Sequence, residues 1–125
     1  MKQGGKIRIA TPGLELLFKV FSADKSNKLV KRLLAERGQP WSNRLKDPLP
    51  VFFINKLFYG HGHRFIWDFK SLKAALESAG FRKVVRCEPG HSTDKNLNRI
   101  EWRELESKRR RGFNKLETIV VEATK

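Results

Sequence analysis

Apolar and polar positions along the chain change period several times, and each change marks an element. After the turn signal Gly4-Gly5, the segment Lys6-Ile7-Arg8-Ile9-Ala10-Thr11 alternates charged or polar with apolar at period two, which predicts a strand with one buried face. Pro12-Gly13 stops it. Leu14, Leu17, Phe18 and Phe21 then recur at helical spacing, with Pro12 near the start, where a lost amide hydrogen costs little. Ser26 is placed to cap a second helix that carries Leu29, Val30, Leu33 and Leu34, turns Lys28, Lys31 and Arg32 outward and closes at Gly38.

Residues 39–50 contain Pro40, Pro48 and Pro50 and have no periodicity, so they predict a surface connection anchored by Trp41. Residues 51–59 form the most apolar run: their β-branched and aromatic content fits a strand, while the spacing of Phe53, Leu57 and Phe58 fits a helix buried on most sides. The best-bounded element follows. Asp68 is a natural N-cap for a helix from about Phe69, with Leu72, Ala75, Leu76 and Ala79 on one apolar stripe and Lys70, Lys73 and Glu77 opposite. Gly80 can take the left-handed conformation that ends the helix, and Phe81 packs back on its last turn. Residues 83–87 read as a short strand ended by Glu88-Pro89-Gly90. The polar span 91–112, with a helical turn over 100–105, is too long for a plain connector. Residues 115–123, dense in β-branched side chains, read as the strongest strand.

With 39% apolar and 10% aromatic residues, the 125-residue chain has the makings of one domain, residues 1–125, with a real core. Lys and Arg outnumber Asp and Glu by 27 to 13, a net charge of +14 that attracts polyanions without specifying which. Part of the excess sits in the block Lys108-Arg109-Arg110-Arg111. The single Cys87 excludes an intrachain disulfide. No stretch has the roughly 20 apolar residues of a membrane span or the apolar centre of a signal peptide, so a cytoplasmic location is expected.

Four pieces stand in a notable order: Gly4 to Pro12, then Asn55-Lys56-Leu57-Phe58 leading to Gly62-His63-Arg64-Phe65-Ile66-Trp67-Asp68, then Leu72 to Phe81, then Phe113 to Ala123. Together they resemble the C-terminal half of a class I methyltransferase that uses S-adenosylmethionine. The resemblance implies a partial Rossmann-like α/β fold: a three-stranded mixed sheet in the order fifth, seventh, sixth, with helices packed on it. Residues 6–11 would be the fifth strand, 83–87 the sixth and 115–123 the seventh, antiparallel between the other two. It also favours a helix over 51–58. The family's cofactor-binding half is expected to be lacking, because neither its glycine-rich turn nor its ribose-holding carboxylate is found. Gly60-x-Gly62 does not replace that turn, since no convincing strand precedes it. The cofactor is thus implied by resemblance alone, and no cofactor-binding residue is expected on this chain.

The resemblance implies that Asn55, Tyr59, His61 and His63 belong to the acceptor-substrate side, where an imidazole can orient or deprotonate a substrate group. His61, His63, Cys87 and His91 also have ligand chemistry suited to zinc, but Pro89 and Gly90 interrupt the spacing and no metal site is expected. Glu101, Glu104 and Glu106, set among Arg99, Arg103 and Lys108, are expected to form a solvated, charge-paired segment. The functional expectation is an acceptor-side half, inactive alone or completed by a partner, and a homodimer through the edge strand 6–11. The alternative is a small basic module that binds nucleic acid or another polyanion.

Overall fold

A computed structural model describes residues 1–23, 26–39, 48–101 and 112–125. Its elements are β1 (Lys6–Pro12), α1 (Leu14–Ser22), α2 (Lys28–Arg37), α3 (Pro50–Gly60), α4 (Phe69–Ser78), β2 (Arg82–Cys87), α5 (Phe113–Glu117) and β3 (Thr118–Thr124). The strands form one open sheet in the order β1-β3-β2, with β3 antiparallel to both neighbours. The fold is therefore α/β, and the expected mixed sheet is corrected: each pair of neighbouring strands is antiparallel.

Alternation along β3 divides the sheet into two faces. Ile119, Val121 and Ala123 point to one side, where they pack with Leu16 of α1, Leu72 and Leu76 of α4, and Val84 of β2. Val120 and Glu122 point to the other, beside Arg8 and Ala10 across the β1–β3 ladder. A second cluster joins Leu17 and Val20 of α1 to Val30, Leu33, Phe53, Leu57, Ile66 and Phe113. Helix α1 thus belongs to both clusters, through Leu16 on one side and Leu17 with Val20 on the other.

Helix α4 is bounded as its local chemistry requires. Asp68 Oδ1 accepts from Ser71 N at 2.7 Å, and at the far end Gly80 has φ +83° while Phe81 N donates to Leu76 O and Gly80 N to Glu77 O. That pair of bonds is a Schellman closure. The buried stripe is narrower than its spacing predicts: Leu72 and Leu76 are buried, but Ala75 and Ala79 are exposed. Gly13 joins β1 to α1 under tight constraint, since a Cβ there would lie 2.6 Å from Ile119 Cγ2.

Several expectations are corrected. Helix α1 buries Leu16, Leu17 and Val20, whereas Phe18 and Phe21 are exposed, because the sheet and α3 take the other side. Helix α2 is capped by Asn27, not Ser26; the Asn27 side chain accepts from Leu29 N and Val30 N. Residues 51–59 are helical within α3, which starts on Pro50 and buries Phe53 and Leu57 but leaves Tyr59 out. The last strand starts at Thr118, not Lys115: Gly112 at φ +91° opens the short α5, whose Thr118 N–H closes on Asn114 O. Trp41, Glu104, Glu106, the Lys108 to Arg111 block and most of the proposed turn at 100–105 lie outside the described residues. Among the described residues, no helix is long and apolar enough to cross a membrane.

Candidate functional site

The sheet face turned away from α4 carries a buried ion network. Arg8 comes from β1 with Ile7 and Ile9 on either side, so its side chain points to the opposite face from theirs. There its side chain is 2% exposed and its guanidinium reaches two carboxylates. Arg8 Nε and Nη2 donate to Glu101 Oε1 and Oε2, each at 2.8 Å, and Nη1 donates to Glu122 Oε1 at 2.6 Å. Nη2 also reaches the Glu88 carbonyl at 3.1 Å, and Glu101 Oε2 accepts from Gly90 N at 2.7 Å. The segment 88–101 is thereby tied across the sheet, with Lys6 and Asp94 forming a further pair at 2.8 Å. The hydrogen bonds from Arg8 hold the Glu101 carboxyl below its ordinary range, and Glu101 in turn raises the Arg8 guanidinium. Glu101 is accordingly buried and paired, which corrects the expectation that it belongs to a solvated segment. Burial pushes the nearby Cys87 thiol up, so Cys87 is protonated at neutral pH.

Beside this network lies a cleft of about 500 Å³. Ala10, Pro12, Leu57 and Ile100 supply apolar wall, and Thr11 and Thr118 supply hydroxyls. Arg8, Arg37, Glu101 and Glu117 are its charged lining. Arg37 Nη1 donates to both oxygens of the buried Glu117, at 2.5 and 2.6 Å, and stands 5.8 Å from the Phe113 ring centroid. Asn114, buried one turn before Glu117 on α5, also lines the cleft.

Of the four residues expected on an acceptor side, His61 and His63 line this cleft and two do not. The imidazole centroids are 6.1 Å apart, and Gly62 between them has φ +69°, so the chain turns sharply enough to bring both rings to one rim. Asn55 instead donates back to Val51 O at 2.9 Å in its own helix, and Tyr59 is 80% exposed. Among the described residues no group of three or more His, Cys, Asp or Glu stands where it could hold a metal ion. Arg8, Arg37, Asn114 and Glu117 escape notice in the sequence. The readable signal was Glu122 within an otherwise apolar central strand, since a carboxylate there needs a buried partner.

The described turn from β1 into α1 does not fit the cofactor of the resembled family. At the turn from β1 into α1, the Gly13 amide already donates to Glu117 O and the Leu14 amide to Trp67 O, so neither is directed at an anion. Gly60 ends α3, and Gly62 lies in a turn that leads into irregular chain, not into a helix. No protein-family model, curated protein or solved structure matches the chain.

Proposed function

We propose that this chain is the acceptor-substrate-side half of a methyltransferase-like protein, without a cofactor site of its own, inactive alone or completed by a partner. One observation carries it. β3 lies antiparallel between β1 and β2, and the cleft opens where β1 ends and the loop with His61 and His63 arrives. In the resembled Rossmann-like fold, the fifth, seventh and sixth strands stand in that relation, and the segment after the fifth strand shapes the acceptor pocket. His61 and His63 orient the acceptor in this reading, and Ala10, Pro12, Leu57 and Ile100 give it an apolar wall.

A second reading is favoured by helix α2, which exposes Lys28 and Lys31 on a chain of net charge +14: a binding module for nucleic acid or another polyanion. Fluorescence anisotropy of a labelled DNA duplex against rising salt separates the two. The acceptor-half reading expects weak binding that vanishes by physiological ionic strength. Tight binding that persists there would replace it with the polyanion module.

A further inference from the structure

The charged side chains that line the cleft are paired with carboxylates or guanidiniums. Arg8 holds Glu101 and Glu122, and Arg37 holds Glu117, so each guanidinium in the lining already has its carboxylate. Asn114 is different. It is 7% exposed and lines the cleft, yet among the described residues nothing donates to its side-chain oxygen or accepts from its side-chain nitrogen. Its backbone carbonyl is used, accepting from Thr118 N. A buried carboxamide left without partners costs stability, and such groups are rare enough in folded proteins that each needs a reason.

The chemistry of that group defines what would satisfy it. A carboxamide offers an acceptor and a donor side by side, which matches an edge that presents a donor beside an acceptor. An anionic ligand finds both guanidiniums of the lining already held by carboxylates. The apolar walls and the two imidazoles at the rim suit a flat ring. We propose that the cleft binds a small, uncharged heterocyclic lactam, free or as the base of a nucleoside, and that the Asn114 carboxamide reads its amide edge. This names the ligand class of the acceptor cleft and rests on reading that cleft as a ligand site.

The test uses the whole chain and the probes 2-pyridone, uracil and uridine, followed on the Asn114 side-chain amide by nitrogen-15 NMR. 2-Pyridone and uracil are expected to shift that resonance saturably, with N-methyl-2-pyridone, whose donor is blocked, and benzoate at least tenfold weaker. Uridine binding as well as uracil marks a nucleoside, and uracil alone marks the free ring. Asn114→Leu, of similar size, is expected to weaken 2-pyridone at least tenfold while leaving the melting temperature equal or higher, since it removes a polar group that has no partner. An asparagine with a structural role would instead lower it. An Asn114 resonance that stays still to the solubility limit, equal affinity for the N-methylated probe, or a less stable Asn114→Leu would each overturn the proposal. Cofactor binding by the chain would contradict the acceptor-half reading and leave this result standing.

Discussion

Arg8 and Glu122 face each other directly across the β1–β3 ladder, and Arg8 Nη1 donates to Glu122 Oε1 at 2.6 Å on the side of the sheet that the α4 helix does not cover. With Glu101 as the second carboxylate, one guanidinium joins both strands to the segment 88–101.

Arg8→Ala should therefore be among the most damaging single substitutions on this face. It leaves two buried carboxylates without their cation, and loss of one partner from a buried pair typically costs about 3–5 kcal/mol. Urea unfolding of wild type and variant gives the comparison. A loss no larger than that of Lys6→Ala, whose ammonium is exposed, would show that the network is solvated.

The same network sets an acid dependence. Arg8 depresses the folded-state pKa of Glu101, so between the two values the folded chain binds fewer protons than the unfolded one. This contribution is complete above the unfolded value, about 4.3 for a glutamate, and is lost as pH falls through the lower folded value. Asp94, depressed by Lys6, acts with the same sign. Stability measured from neutral pH down to acid should fall in that window, and Glu101→Gln should flatten part of the fall.

Helix α4 offers an internal ranking. Leu76→Ala opens a cavity under the sheet and should cost about 2–5 kcal/mol. Asp68→Ala removes the acceptor for Ser71 N and for Ser71 Oγ, yet the cap is on the surface and the loss should be the smaller. Chemical denaturation that reversed the order would contradict the placement of the buried face.

What could be read from the residues alone follows from how local each determinant is. Asp68 and Gly80 bracket α4 because caps act within a turn of themselves, and the alternation around Ile7 and Ile9 marks β1 for the same reason. The face of α1 was not legible, since Leu14, Leu17, Phe18 and Phe21 form as good a stripe as Leu16, Leu17 and Val20 until the sheet and α3 claim one side. Residues 115–117 read in the sequence as the start of the last strand, but the left-handed Gly112 and the pairing of Glu117 with Arg37 start a helical turn instead. Arg8, Glu101 and Asn114 are distant in sequence and meet only through the sheet, so the cleft could be anticipated at His61 and His63 but not at its floor.

The edge of β1 carries a further expectation. Gly13 N donates to Glu117 O and Lys125 N to Gly5 O, so by the antiparallel alternation the ladder bonds fall on Ile7, Ile9 and Thr11. The amides of Lys6, Arg8 and Ala10 then point outward, and α1 exposes Phe18 at 65% and Phe21 at 59%. An edge with no second strand partner among the described residues and an apolar patch both favour pairing with another chain. Light scattering at micromolar concentration should report a dimer, weakened by Ala10→Pro, which removes an outward donor without taking a bond from β3. A wild type that stays monomeric throughout would mean that the edge is closed within its own chain.

The central claim, an acceptor-side half without its own cofactor site, is tested most directly by the melting temperature of the chain titrated with S-adenosylmethionine. A ligand that binds only the folded state adds about 2.7 kcal/mol at a hundredfold excess over its dissociation constant, a change that a melting curve registers clearly. The glycine amide at the β1–α1 turn is already bonded to Glu117 O, so the predicted curve is flat at every concentration. A saturable rise would contradict the account and place a complete cofactor site on this chain.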